Sequence, residues 1–136
     1  MKAITGFLKL SHPQRLVALR LLWYIIRAEF ILRFIPYATV QKIVFTKKPL
    51  RRPSSPEPLH TLNCHLRLLD MVCRNLPWIP TCLRKAIALH DSLAAHGIDS
   101  TIRIGVCRIQ GNLSAHAWLE CCNLEVLKNG TYSSLY

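Results

Sequence analysis

Hydrophobic residues dominate the first third of the chain, and between Pro13 and Pro36 they run without a helix-breaking residue. Proline suits the first turn of a helix, so the pattern predicts helix over residues 13–45, the main part of an N-terminal helical segment at 1–45. Charged side chains interrupt the run, whereas a membrane-spanning helix needs about twenty predominantly apolar residues. We expect a helical layer packed on the domain or on a partner, with a membrane-surface helix as the alternative.

Proline dominates the next stretch. Residues 46–58 have four prolines and no periodicity, in the sequence TKKPLRRPSSPEP. This composition predicts an exposed linker between the N-terminal segment and a core at residues 59–136. The N-terminal segment is too short to be an independently stable domain.

Two amphipathic helices follow in the predicted core. The first runs from Leu59 to about Leu76 and ends before Pro77. Its apolar face repeats at helical spacing in Leu62, Leu66, Leu69 and Cys73. The second runs from Cys82 to about His96, with Thr81 as a plausible N-cap. On this second helix the predicted solvent side consists of Arg84, Ala88, Asp91 and Ala95.

Gly97 ends the second helix, and beyond it the hydrophobic period changes from 3.6 to 2. The alternation predicts one strand around residues 102–107 and, after a turn at 110–112, a second at 115–121. A weaker third strand is predicted at 125–127, and the last six residues form a tail or a short strand. The pattern therefore predicts an α+β domain in which helices pack on a small antiparallel sheet.

The charge of the chain limits its possible partners. Its 18 Lys+Arg against 7 Asp+Glu give a formal net charge of +11 over 136 residues, enough for one domain. Strongly basic chains bind nucleic acid, anionic lipid or acidic protein surfaces. The basic residues are scattered among apolar ones, and no nucleic-acid fold signature accompanies them, so we expect no nucleic-acid partner.

The six cysteines have no pattern typical of a metal or disulfide framework. No CxxC pair occurs, and nothing resembling a signal peptide precedes them. In a continuous strand the adjacent Cys121 and Cys122 would point to opposite faces. We therefore expect reduced, mostly buried thiols in a cytoplasmic protein, with no zinc or other metal.

Cys82 and His116 stand out as candidate chemistry. A thiol at a helix N-terminus has its thiolate favoured by the exposed N–H groups and the helix dipole. A histidine brought beside it by a following strand could exchange protons with the sulfur and with a leaving amine. Alternation places His116, Trp118 and Glu120 on one strand face, as in a cleft wall, opposite an apolar core face. The alternatives are a small buried cysteine, a structural histidine and a packing tryptophan.

These residues also resemble a known family. The matching positions are Cys82-Leu83, Ala86, Ala88-Leu89, Gly97-Ile98, Ile104-Gly105-Val106 and His116-Ala117-Trp118-Leu119-Glu120. They resemble the transglutaminase-like cysteine proteases that remove the leader peptide in lasso-peptide biosynthesis. The match covers about residues 77–120, and the Leu- and Arg-rich N-terminal segment is also similar.

The resemblance implies a transglutaminase- or papain-like core without a cofactor. It implies Cys82 as nucleophile, His116 as proton carrier, and Trp118 and Glu120 as substrate contacts. The chain has no segment like the precursor-recognition domain fused to some members, so a separate leader-recognition protein is expected to hold the leader peptide. An ATP-dependent lasso cyclase is the expected downstream partner. The chain has no glycine-rich phosphate-binding loop, although ATP dependence through the pathway remains open.

The third catalytic residue departs from the family pattern. The family has an Asp about a dozen residues after the histidine, and here that position falls near Asn129. An Asn can orient an imidazole, as in papain-like sites. Glu120 and Glu125 are the alternatives. Two other functions stay open, a transglutaminase-like acyltransferase and a non-enzymatic helical interaction module.

Overall fold

A computed structural model describes residues 2–40, 42, 57–127 and 133–134. Its helices are α1 (Lys2–Leu8), α2 (His12–Phe34), α3 (Tyr37–Val40), α4 (Pro58–Arg74) and α5 (Cys82–Ala95). Its strands are β1 (Thr101–Ile109), β2 (Asn112–Cys121), β3 (Leu124–Val126) and β4 (Ser133–Ser134). The predicted α+β class is confirmed. The predicted linker lies almost wholly outside the described residues, and the division into segment, linker and core stays a prediction.

The long helix α2 is shorter than predicted. It ends at Phe34 because Ile35 adopts an extended backbone, with φ −108° and ψ 136°, ahead of Pro36. A proline disfavours helical geometry in the residue before it. The short helix α3 follows, while residues 43–45 lie outside the described part of the chain. None of the described helices combines the length and apolar character needed to cross a membrane.

Helix α2 packs across α5 and α4 through a buried row of small and aliphatic side chains, Ala18, Leu21, Ile25 and Ala28. Two ion pairs also join α2 to α5. Arg27 Nη1 lies 3.1 Å from Asp91 Oδ2, and Glu29 pairs with Arg84. The predicted solvent side of α5 is therefore wrong, because α2 covers it: Ala88 is fully buried and Asp91 is 4% exposed.

Helices α4 and α5 have the predicted apolar faces, and α5 ends in the predicted glycine. Leu62 and Leu69 of α4 join the core. At the end of α5, Gly97 has φ 75° and its N–H donates to the Ala94 carbonyl. The Ile98 N–H donates to the Leu93 carbonyl at 2.9 Å. These two bonds form a Schellman motif, which needs the left-handed geometry that glycine adopts without strain.

The sheet is antiparallel, with strand order β3-β2-β1-β4. The long hairpin of β1 and β2 pairs Thr101 with Glu120 at one end and Ile109 with Asn112 at the other. Helix α5 packs on this hairpin and buries Ile102 and Leu119. The prediction for the adjacent cysteines is wrong, because β2 ends at Cys121 and Cys122 begins a turn with φ 54°. Their sulfur atoms lie 3.4 Å apart.

Candidate active site

Cys82 is the first residue of α5, as predicted. Thr81 precedes it with φ −71° and ψ 163°, the extended geometry of an N-cap. The Thr81 hydroxyl does not cap the helix, however, because it accepts a hydrogen bond from Arg84 Nη1 at 2.8 Å. The first-turn N–H groups therefore do not use the side-chain cap typical of helix starts. Cys82 itself is half-buried.

Strand β2 passes over the start of α5 and brings the backbone next to His116 into contact with the thiol. The backbone N–H of Ala117, the residue after His116, donates to Cys82 Sγ at 3.4 Å. The sheet thus places the backbone beside His116 within hydrogen-bond distance of Cys82, although the two candidates are separated by 34 residues of sequence.

The imidazole of His116 is held by the backbone of a neighbouring segment. Its Nε2 lies 2.7 Å from the carbonyl oxygen of Leu127, just past the end of β3. A carbonyl only accepts hydrogen bonds, so Nε2 must carry the proton. In the neutral ring Nδ1 is then the proton-accepting nitrogen. This geometry gives His116 the tautomer that a general base requires at Nδ1.

Leu127 was missed by the sequence analysis, since a backbone acceptor leaves no side-chain signal. Its φ is 63°, in the left-handed region that favours glycine. A non-glycine residue held there costs on the order of 1 kcal/mol or more, and such strain is concentrated at functional sites. The strained backbone directs the carbonyl at the imidazole.

The three candidates for the third catalytic residue have different positions. Asn129 lies outside the described residues. Glu120 is four residues along β2 from His116, which is roughly 13 Å of strand, and its carboxylate pairs with Arg103 Nε at 3.1 Å. Glu125 sits opposite Glu120 in the β2–β3 register. Both glutamates therefore lie level with the open end of the β1–β2 hairpin, where Glu120 pairs with Thr101.

Trp118 is placed differently from the groove wall predicted for it. Its side chain is 2% exposed, so the indole packs inside the domain. Strand β2 is covered on both faces at this point, since Ala117 and Leu119 are also buried. The alternative interpretation of Trp118 as a packing residue fits this burial.

A cavity of about 250 Å³ lies beside the loop that enters α5. Its lining includes an aromatic ring, an acidic group and two cations, contributed by Trp78, Asp70, Arg74 and Lys85. The neighbouring Ile79 is 90% exposed. Residues 77–81 thus present apolar side chains directly before Cys82. From the sequence, this stretch was interpreted only as a helix stop, although two large apolar residues between prolines, Trp78 and Ile79, were the available signal.

Among the described residues no cluster of three or more His, Cys, Asp or Glu side chains is arranged to hold a metal ion. The thiol and the imidazole suffice for acyl chemistry in this fold, which requires no cofactor. The site combines a nucleophile, a proton carrier in a defined tautomer and a backbone group that holds that tautomer. Together these groups can transfer an acyl group from an amide to the sulfur.

Comparisons with known proteins agree with this chemistry at the level of the superfamily. The family model described as "Transglutaminase-like superfamily" matches residues 26–135. Neither the comparison with curated proteins nor that with solved structures gives a match. The matched range includes the candidate thiol, the imidazole and the C-terminal part of α2, residues 26–34. The chain therefore belongs to the transglutaminase-like superfamily, whose members are typically cysteine peptidases or acyltransferases.

Proposed function

We propose that this protein is a cysteine protease that removes the leader peptide from a ribosomally made lasso-peptide precursor. The observation that carries the proposal is the thiol at the start of α5, with the Ala117 N–H on its sulfur and the tautomer of the adjacent His116 set by Leu127. The match of residues 77–120 to the leader-peptidase motif supplies the substrate class. The product, a free core peptide, is the substrate of an ATP-dependent lasso cyclase.

In the proposed mechanism His116 Nδ1 takes the thiol proton of Cys82. The sulfur attacks the carbonyl carbon at the junction of leader and core, and the backbone N–H of Cys82 stabilises the oxyanion. His116 then gives the proton to the departing amine. Water hydrolyses the thioester and regenerates the thiol. Asn129 remains the proposed side-chain partner of His116, alongside the Leu127 carbonyl.

The cavity beside residues 77–81 fits a peptide on one side of the reacting sulfur. Trp78 offers an apolar face, while Arg74 and Lys85 offer positive charge. A peptide that runs past Cys82 along this loop would place an acidic or aromatic residue there. Glu120, at the far end of β2, is not adjacent to this cavity, so its proposed substrate contact requires a longer peptide.

The outward face of α2 supports a separate leader-recognition protein as partner. Opposite its buried face this helix carries five large apolar side chains that are between 47% and 71% exposed, Leu16, Leu19, Trp23, Phe30 and Phe34. A contiguous exposed apolar patch of this kind marks interaction sites. With a net charge of +11, the chain favours an acidic recognition protein or leader.

The decisive experiment mixes the protein with the precursor encoded beside it, with and without the recognition protein, at low and high salt. We expect slow cleavage alone, rescue by the partner, and weaker rescue at high salt. Mass spectrometry distinguishes the acyltransferase, because cleavage adds water whereas transamidation joins the acyl group to an amine. Full activity without the partner and at any salt would show that the protease recognises its substrate alone.

The same assay separates catalysis from a non-enzymatic interaction module. Cys82→Ala should abolish product, and Cys107→Ala, a half-buried cysteine on β1, is the matched control. If the recognition protein binds but no precursor is cleaved by wild type under any condition, then the interaction module is the better interpretation.

A further inference from the structure

Outside the proposed site, the turn between β2 and β3 brings two thiols together. Cys121 pairs with Leu124 across the hairpin, so Cys122 and Asn123 are the two central residues of the turn. Both have positive φ, 54° and 61°, as a type I′ turn requires. This geometry rotates Cys122 out of the strand alternation. As a result its sulfur lies 3.4 Å from that of its neighbour, without a bond between them.

A disulfide between adjacent residues is strained by the backbone. Consecutive Cα atoms are about 3.8 Å apart across a trans peptide, whereas disulfides prefer a Cα separation of about 5.5–6 Å. Such a bond forms only if the surrounding backbone adjusts, and its strain makes it easy to reduce. Two sulfurs already at 3.4 Å require less movement than two thiols pointing to opposite faces.

The two thiols differ in exposure, which sets the order of the chemistry. Both border an open depression of about 810 Å³, but Cys121 is 3% exposed, whereas Cys122 is half-buried. Burial, helped by the neighbouring thiol, raises the pKa of Cys121 to about 12. Cys122 is therefore the sulfur that an oxidant reaches first, and Cys121 is the resolving thiol.

The turn is linked to the proposed catalytic histidine through a short path. From Cys122 the chain runs through Asn123 and β3 directly to Leu127, whose carbonyl accepts the His116 Nε2 proton at 2.7 Å. Closing a disulfide would change the backbone of Cys122 and hence the turn that sets the position of β3. A shift at β3 would move the acceptor that holds the imidazole.

We propose that Cys121 and Cys122 form a reversible disulfide that releases His116 from Leu127 and lowers the activity of the enzyme. The oxidant is a hydroperoxide. The Cys122 sulfur attacks the peroxide oxygen, which breaks the O–O bond, gives a sulfenic acid and releases an alcohol or water. The Cys121 thiol then attacks that sulfur, the S–O bond breaks, and one water leaves as the disulfide forms. Two thiols are oxidised by two electrons and one peroxide is reduced. The consequence for activity rests on the proposed function, whereas formation of the disulfide does not.

The chemical test uses hydrogen peroxide on full-length Cys82→Ala protein, which removes the proposed nucleophile. Trypsin releases residues 109–128, in which Cys121 and Cys122 are the two cysteines, and residues 104–108, which contain Cys107 as a control. We expect the first fragment to lose both iodoacetamide labels and two hydrogen atoms before the control thiol is oxidised, and dithiothreitol to restore both labels. Oxidation of Cys107 first, or a sulfinic acid without a disulfide, would overturn the proposal.

The coupling test compares wild type with Cys122→Ser in precursor cleavage. Because a catalytic histidine that loses its orienting partner loses activity, we expect a loss of at least about tenfold in oxidised wild type, reversed by dithiothreitol and absent in Cys122→Ser. Equal losses in both would assign the effect to oxidation of Cys82 and overturn the coupling.

A second readout of the coupling does not depend on activity. In the Cys82→Ala protein, oxidation should speed amide hydrogen exchange in β3, Leu124–Val126, at least tenfold relative to α5. Unchanged exchange in β3 after complete disulfide formation would overturn the coupling. If the disulfide and this change both occur but unoxidised wild type cleaves no precursor, then the proposed function is wrong and the redox site is retained.

Discussion

The two ends of α5 place histidines in opposite environments. At the start of the helix, His116 is half-buried and its Nε2 is bound to a backbone carbonyl. At the other end, His65 of α4 is 2% exposed, and its ring lies against that of His96 with centroids 4.7 Å apart. Neither ring nitrogen of His65 has a hydrogen-bond partner among the described residues.

The contrast shows what distinguishes an imidazole suited to proton transfer from a structural one. Burial, helped by the nearby His96, lowers the pKa of His65 from 6.5 to about 4, so this ring stays neutral. His116 instead keeps solvent access and has one nitrogen committed to an acceptor. Access and a fixed tautomer, rather than proximity to other polar groups, are what proton transfer requires.

The largest effect should come from removing the chemistry at the start of α5. Cys82→Ala and His116→Ala should each lower cleavage by at least roughly a thousandfold, with an unchanged melting temperature. Single-turnover cleavage of the precursor measures the first quantity and calorimetry the second. More than a few per cent residual activity in either variant would contradict the assignment of the cleavage chemistry to the start of α5.

At the other end of α5, buried His65 should make the folded protein less stable in acid. Because the folded-state pKa of His65 is depressed to about 4 from 6.5, the unfolded chain binds the proton first. The contribution of neutral His65 to stability is fully present above the pKa that His65 has in the unfolded chain. It is lost as the pH falls toward 4, where the free energy of unfolding should be lower by about 3 kcal/mol. Urea unfolding at pH 7.5 and at pH 4 measures the decrease.

The control for that measurement is His65→Leu, which removes the titrating ring and keeps an apolar side chain of similar size. Its free energy of unfolding should change less between the two pH values. The same pH dependence in wild type and variant would mean that His65 does not titrate as its burial indicates.

The ion pair between α2 and the middle of α5 tests how much the N-terminal helix stabilises the domain. Arg27→Ala should destabilise the protein by about 2 kcal/mol, because it leaves the buried Asp91 carboxylate without this cation. Arg74→Ala is the matched control, since its pair with Asp70 is exposed and is expected to contribute about 0.5 kcal/mol or less. Equal losses would show that burial of Asp91 is irrelevant.

The smallest effect should come from the third catalytic position. Asn129→Ala should reduce turnover by about tenfold or less, since the Leu127 carbonyl also holds the His116 ring. Steady-state cleavage rates of this variant, with Glu120→Ala and Glu125→Ala beside it, rank the candidates. A larger loss from either glutamate at unchanged stability would show that Asn129 is the wrong choice.

The sequence predicted most of the elements, because periodicity and capping are local. Gly97 and Thr81 marked the bounds of α5 through backbone geometry that neighbouring residues determine. The packing side of α5 was not predictable in the same way. Asp91 looked like a solvent residue, and its ion pair with Arg27, on a helix distant in sequence, was not visible in the local pattern.

For the candidate site the sequence indicated the side chains but not their surroundings. Cys82 and His116 were recognisable by residue type and spacing. Trp118 was assigned to a cleft because strict alternation assumes that one strand face is open, whereas this strand is covered on both. The expectation for Cys122 was wrong because it treated the strand as continuing past Cys121, whereas β2 ends there, at its predicted bound, and Cys122 belongs to the turn.

The Leu127 carbonyl has a consequence for how this protein tolerates change. Any residue that accepts the left-handed backbone would supply the same acceptor, and glycine or asparagine would do so with less strain. The Leu127 side chain also packs against the hydrophobic core. A glycine at this position would therefore keep the acceptor of the imidazole proton and lose an apolar contact with the core.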